Sequence, residues 1–153
     1  MTPAPLRVAV LGAGTVGREV ARALVERAGE LSAAAGVPLE LVGIAVRDLA
    51  RARDRGIPTA LLTDAPAHLV AADDTHVIVE LMGGDEPAHT LIAAALGAGK
   101  AVVTANKHVI AHHGPSLEAA ARRTGAALRF EAAVGGGIPV LGPLAAELAA
   151  NRV

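Results

Sequence analysis

Gly12, Gly14 and Gly17 stand in a G-x-G-x-x-G pattern within Val8-Ala9-Val10-Leu11-Gly12-Ala13-Gly14-Thr15-Val16-Gly17. The apolar run before them reads as a strand, and the residues after them open a helix. Each glycine then has a physical task. Gly12 permits the tight turn, Gly14 lets a pyrophosphate approach the backbone, and Gly17 lets the helix pack closely on the sheet. The first helical turn leaves N–H groups unpaired at the positive end of the helix dipole, where a phosphate fits. Small residues in such a turn can serve packing alone, but the strand–turn–helix context is the one dinucleotide binding requires. Gly12, Ala13, Gly14, Thr15, Val16 and Gly17 are the expected contacts.

Other groups with chemical potential fall at the ends of later apolar runs. Ala45-Val46-Arg47-Asp48 offers both signs of charge side by side. A carboxylate there suits the ribose of NAD, and an arginine suits the extra phosphate of NADP. Arg47 comes first, which favours NADP, while Asp48 keeps NAD open. Glu80-Leu81-Met82-Gly83-Gly84-Asp85 ends a third run. Gly83 and its neighbour let the backbone pass close to a cofactor, or simply turn the chain. Glu80 lies inside an apolar strand and needs a hydrogen-bonding partner, which suggests a structural role.

Thr104-Ala105-Asn106-Lys107 closes the fourth run. A lysine on an active-site rim can bind an anion, polarise a carbonyl or relay a proton. Asn106 can cap the helix that follows. In Glu131-Ala132-Ala133-Val134-Gly135-Gly136-Gly137-Ile138-Pro139, consecutive glycines can turn carbonyls towards one point beside a carboxylate, as an oxygen-ligand cation site needs. The same glycines would suit a hinge. His108 and His112 are four apart beside His113, but without HExxH or an acidic third ligand they read as surface or helix-end histidines. No GxSxG elbow or P-loop lysine supports a hydrolase or kinase.

These residues need elements to hold them. Leu6 to Leu11 reads as the first strand, and Val16, Val20, Leu24 and Leu31 trace one face of a helix from Thr15 to about Ala35. Leu39 to Val46 reads as the second strand, and Arg47 to Pro58 as irregular or partly helical. Thr63-Asp64 is positioned to cap a short helix over Ala65 to Ala71. His76 to Met82 reads as the third strand, followed by a helix capped by Asp85 with Pro87 in its first turn. Ala101 to Thr104 and Ala127 to Phe130 complete the strands. Asn106 to Ala111 and Pro115 to Thr124 read as helices split by His112-His113-Gly114, and Pro139 to Ala150 as a further helical start. Alternating strands and helices predict an α/β fold, a doubly wound, mostly parallel sheet with helices on both faces, Rossmann-like. Its ligand lies beyond the carboxyl ends of the strands.

The chain has 153 residues, a formal charge of −1 and no cysteine, so disulfides and thiolate metal sites are excluded. One Phe is its only aromatic residue, which fits a core of small aliphatics under closely packed helices. No basic block suggests a nucleic-acid partner, and no apolar run reaches membrane-spanning length. A soluble, cytoplasmic protein is expected.

The order of motifs resembles the N-terminal coenzyme domain of homoserine dehydrogenase. The resemblance rests on residues 12–17, Gly43-Ile44-Ala45-Val46-Arg47, Val79 to Gly84, Val102 to Lys107 and Phe130 to Pro139, and it spans essentially the whole chain. The Thr-Ala-Asn-Lys stretch followed by Glu-Ala-Ala-Val-Gly is its most selective part. That family interconverts L-homoserine and L-aspartate 4-semialdehyde with NAD(P), on the route to threonine, isoleucine and methionine. The resemblance implies that Lys107 lies beside nicotinamide and substrate, transferring a proton or polarising the carbonyl, and Thr104 is an expected cofactor contact with it. It also implies a monovalent cation such as sodium held by Glu131 and the carbonyls of Val134, Gly136 and Ile138, and a homodimer in a full-length form. Family members continue into a substrate domain. The expected division is therefore a dinucleotide-binding domain over 1–138 and, over 139–153, the start of a helix linking to a substrate domain absent from this chain. In isolation the chain is expected to bind cofactor better than it turns over substrate. The alternatives are another amino-acid-pathway dehydrogenase, such as an aspartate dehydrogenase, and a non-catalytic NAD(P)-sensing module.

Overall fold

Successive residues of the first strand point to opposite faces, and each face meets its own apolar cluster. In the computed structural model, which describes residues 3–53, 57–138 and 140–146, Ala9 and Leu11 join Ile78, Ile92, Leu96, Val102 and Leu117 on one side. Val10 joins Ala21, Ile44, Ala52 and Ile57 on the other. A sheet covered on both faces is what near-continuous apolar strands require.

The elements run β1 (Leu6–Leu11), α1 (Thr15–Glu26), α2 (Ala28–Ala35), β2 (Leu39–Ala45), α3 (Leu49–Arg53), a 3₁₀ turn (Thr59–Leu61), β3 (Leu62–Thr63) and α4 (Pro66–Ala71). They continue with β4 (Val77–Glu80), α5 (Ala88–Gly97), β5 (Ala101–Thr104), α6 (Lys107–Thr124), β6 (Leu128–Arg129), α7 (Glu131–Gly135) and α8 (Leu141–Ala146). The six strands form one sheet in the order β3-β2-β1-β4-β5-β6, and every pairing is parallel. This is the doubly wound order, and it reverses between β1 and β4. Among the described residues, no helix is long and apolar enough to cross a membrane.

Several local expectations are corrected. The first helix breaks at Arg27, whose backbone leaves the helical region (φ −113°, ψ 23°). Arg27 still donates to the Ala23 carbonyl and accepts from Leu31, so the chain changes direction without losing those bonds. The split at His112-His113-Gly114 does not occur, because α6 runs unbroken through Pro115. The Ser116 hydroxyl caps the His113 carbonyl at 2.8 Å, and Leu117, Ala120 and Ala121 are buried in the core shared with α5. That packing outweighs the proline. Asp85 does not cap α5, which begins at Ala88; its carboxylate pairs with His113 of α6 instead, at 2.9 Å. The two-residue edge strand β3 was not foreseen, and it extends the sheet beyond β2. Thr63 accepts from the Ala65 amide at 3.0 Å before α4. The reading of a helix over 139–150 is met by α8 in part, and Pro139 and 147–150 lie outside the described residues.

Candidate functional site

A groove of about 660 Å³ opens at the carboxyl ends of β1, β2 and β4. Gly12 to Thr15 form its middle, Arg47, Asp48 and Arg51 one end, and Met82, Gly83, Glu86 and Pro87 the other.

The middle is shaped by missing side chains. Gly12 has φ +100°, and its amide donates to the Ala45 carbonyl at 2.8 Å. A Cβ on Gly12 would sit 2.7 Å from the Leu81 carbonyl oxygen, and one on Gly17 would sit 1.9 Å from the Gly12 carbonyl oxygen. Both positions exclude any side chain by contact with backbone, which cannot swing aside. Gly14 differs, since a Cβ there meets nothing within 4 Å. It is the N-cap of α1 and supplies no side-chain cap. The first backbone bond of the helix joins the Arg18 amide to the Gly14 carbonyl at 3.1 Å. Among the described residues, the amides of Thr15, Val16 and Gly17 find no backbone acceptor outside the helix. A helix start of this kind attracts a negatively charged group.

At the β2 end, Arg47 and Asp48 are both exposed. One Asp48 oxygen accepts the Arg51 amide at 2.9 Å, so its carboxylate is engaged in starting α3. Arg51, four residues after Arg47, brings a second guanidinium to the same end of the groove. Sequence reasoning missed it. The i, i+4 spacing of two arginines from the strand end is the signal that pointed there.

At the β4 and β5 ends the site is built from polar side chains. Glu80 and Thr104 are fully buried and Asn106 nearly so. The Glu80 carboxyl accepts the Met82 amide at 2.7 Å and the Thr104 hydroxyl at 2.6 Å, with the Asn106 side-chain amide 3.5 Å away. The Thr104 hydroxyl in turn accepts the Asn106 backbone amide at 3.0 Å. Asn106 donates to the Gly84 carbonyl at 2.8 Å and caps α6 by accepting from Val109 at 3.1 Å. The partners expected for Glu80 and the cap expected of Asn106 are therefore present. Gly83 and Gly84 turn with φ +73° and +77°. Lys107, the first residue of α6, is exposed beside this assembly and does not line the groove itself.

Glu86 and Pro87 were not anticipated in the groove wall. The Glu86 carboxyl lies below the usual carboxylate range, chiefly through its hydrogen bond with Thr90 and further through His89. His89 stacks on His113 with ring centroids 3.9 Å apart. His108 and His112 do share a helical face, with centroids 4.3 Å apart, and His112 bonds to the His108 carbonyl. Among the described residues, no three histidines or carboxylates converge on one point.

Glu131 opens α7 and accepts the Leu141 amide at 2.9 Å, tying α7 to α8. Val134 and Ile138 are exposed around the turn at Gly136, where φ is +61°. The Gly135 carbonyl is occupied by the Ile138 amide. Among the described residues, the carbonyls of Val134, Gly136 and Ile138 accept no backbone bond outside regular elements. These carbonyls and the Glu131 carboxylate are oxygen donors of the kind hard cations take.

A family model described as homoserine dehydrogenase, NAD binding domain, matches residues 12–131. Homoserine dehydrogenase of Mycobacterium tuberculosis is 48% identical over 149 residues, covering 97% of this chain and 33% of that protein. The Corynebacterium glutamicum enzyme of that name is 45% identical over 146 residues, covering 95% and 33%. The crystal structure of a homoserine dehydrogenase from Thiobacillus denitrificans superposes with a TM-score of 0.87 at 42% identity, over 97% of this chain and 34% of that one. A hyperthermophilic archaeal homoserine dehydrogenase in complex with NADPH gives 0.74 at 27% identity, over 92% and 48%. The chain spans about a third of the length of the curated relatives it matches. With the doubly wound sheet and the glycine turn already in view, these matches establish that the chain belongs to the homoserine dehydrogenase family, in the part that forms its NAD-binding domain.

Proposed function

We propose that this chain is the coenzyme-binding part of an oxidoreductase that interconverts L-homoserine and L-aspartate 4-semialdehyde with NADP. The observation that carries the reading is the groove at the β1–α1 turn, lined by Gly12 to Thr15 beside a helix start with unpaired first-turn amides, in a turn that admits no side chain at Gly12 or Gly17. In this reading residues 12–17 hold the diphosphate. Arg47, with Arg51 beside it, takes the adenosine ribose and its phosphate, the two guanidinium groups standing at that end of the groove. Two arginine forks suit a phosphate group better than an unphosphorylated ribose. NADP is therefore preferred over NAD.

The dinucleotide runs from Arg47 across Gly14 towards Gly83, which brings its far end to the side of the sheet bearing Thr104 and Lys107. The nicotinamide, when bound, supplies or accepts the hydride. Lys107 holds the substrate oxygen by a charge-assisted hydrogen bond and moves the proton at that atom. Glu131 and the carbonyls of Val134, Gly136 and Ile138 hold a monovalent cation, and so fix the turn after α7. Residues 1–138 are the dinucleotide-binding unit, and 139–153 begin the connection to a substrate-binding region. The longer protein acts as a homodimer in the cytoplasm.

Titration of the chain with NADPH and NADH tests the reading. NADPH is expected to bind more tightly, and failure of both to bind refutes it. Homoserine-dependent reduction of NADP by a form extended to the length of the relatives tests the substrate. Binding of NADPH without homoserine oxidation would refute the substrate assignment alone.

A further inference from the structure

Glu80 is wholly buried, and among the described residues no cation pairs with it. Burying a carboxyl is costly unless hydrogen bonds compensate, and a sheet that needed only stability would carry an aliphatic side chain there. Among the described residues, the partners of the Glu80 carboxyl lie just beyond β4 and at or just beyond the end of β5. The Met82 amide, at 2.7 Å, begins the Gly83–Gly84 loop of the groove wall. The Thr104 hydroxyl, at 2.6 Å, ends β5 immediately before α6. Asn106 closes the circuit between them, donating to the Gly84 carbonyl at 2.8 Å while capping α6.

The loop has little else to hold it. Gly83 and Gly84 are exposed, and a Cβ on either would meet nothing within 4 Å, so packing does not fix their path. A second tie, Asp85 to His113, joins the same loop to α6 two turns further on. Groove wall and helix start are thus linked through polar side chains.

We propose that Glu80 is a positioning residue, acting through Thr104 and Asn106, that sets the Gly83–Gly84 wall against the first turn of α6. It thereby fixes the non-adenosine half of the bound dinucleotide relative to Lys107. The inference rests on the dinucleotide reading above and adds a residue that touches neither cofactor nor substrate.

Its signature is a loss confined to one half of the ligand. Glu80→Gln keeps the shape of the side chain but replaces an accepting oxygen with a donor. The two Glu80 oxygens each accept a different donor, the Met82 amide and the Thr104 hydroxyl, so the single amide oxygen of Gln serves one and leaves the other facing an NH2 group. The chain and its variants are titrated with NADPH and with 2′-phospho-ADP-ribose, which lacks the nicotinamide. Glu80→Gln is expected to weaken NADPH binding about tenfold and the truncated ligand less than about twofold, the size of one or two misplaced hydrogen bonds. Thr104→Val should show the same split, and Thr104→Ser, which keeps the hydroxyl, should restore NADPH binding. Equal losses for both ligands, or undiminished NADPH binding, would overturn the proposal. If Glu80→Gln does not fold, judged by circular dichroism, Thr104→Val decides on the same terms. If the unsubstituted chain binds neither ligand, the dinucleotide reading falls and this inference with it.

Discussion

At the β1–α1 turn the protein makes space by leaving side chains out, whereas at the ends of β4 and β5 it fills space with hydrogen-bonded ones. In the first region the limits are backbone contacts, such as the Gly12 carbonyl oxygen 1.9 Å from a Cβ on Gly17. In the second they are the bonds among Glu80, Thr104 and Asn106, each of which another polar residue can partly replace. A steric limit fails all at once, and a hydrogen-bond network degrades in steps. Affinity for the dinucleotide should therefore depend steeply on the first region, and the chemistry of the reacting end on the second.

Lys107 gives the largest expected effect on that division. In a form extended to the length of the relatives, Lys107→Ala should lower kcat about 10²–10⁴-fold, the range for losing a positioned proton-transfer group. The NADPH Kd should change by less than about twofold, since the residue does not line the groove. Steady-state kinetics and direct titration together check it. A comparable loss in Kd would make Lys107 a cofactor-binding residue and erase the contrast.

Gly17→Ala tests the other region. A methyl group forced against backbone should destabilise the domain by about 3 kcal/mol or more, at the upper end of overpacking effects. The urea midpoint should fall, and any folded fraction should bind NADPH poorly because the turn must open. Gly14→Ala supplies the contrast, since its Cβ meets open space; the fold should survive while NADPH binding weakens. If the two substitutions behave alike, the turn is not limited by contact.

The same contrast explains what was legible in the sequence alone. A glycine at a steric limit is visible as a residue type at a fixed spacing, so the turn at Gly12–Gly17 and the strand preceding it were legible. The doubly wound sheet followed from the alternation of apolar runs and helical faces. Glu80 was legible as a carboxyl in need of partners, though not as the joint between two loops, because Thr104 and Asn106 are 24 and 26 residues away along the chain. The continuity of α6 was hidden for a related reason. Gly114 and Pro115 are local signals for a break, and what overrides them is the burial of Leu117, Ala120 and Ala121 in the core shared with α5. Asp85 carried the signature of a cap, yet His113 on α6 competes for its carboxylate. Arg51 entered the groove only because α3 folds back after Asp48.

Arg47 sharpens the comparison at the adenosine end, where exposed charge replaces both steric fit and buried bonds. Arg47→Ala should weaken NADPH binding about tenfold and NADH binding less than about twofold, as expected for one charge-assisted contact to phosphate. Arg51→Ala should act in the same direction with a smaller effect. Both losses should shrink at high salt, because exposed charges are screened. Equal weakening of NADPH and NADH would place the arginines on the shared part of the ligand and remove the case for NADP preference.

Glu86 gives the smallest expected effect, and its sign is fixed by its surroundings. The Thr90 hydrogen bond, helped by His89, holds its folded pKa below the ordinary value of 4.5. A carboxyl shifted in that direction stabilises the fold above its unfolded pKa and loses the contribution as pH falls through the folded one. Glu86→Gln removes the titrating group, so the variant's stability should decline less steeply than that of the unsubstituted chain as pH falls from the ordinary value of 4.5 through the lower folded one. Above about pH 6 the two curves should run parallel, because the carboxyl is fully ionised in both folded and unfolded states. Urea midpoints measured across that range separate the outcomes. A steeper decline in the variant would mean that Glu86 is better stabilised in its protonated form, and that the wall beside Pro87 is held by something other than its bond with Thr90.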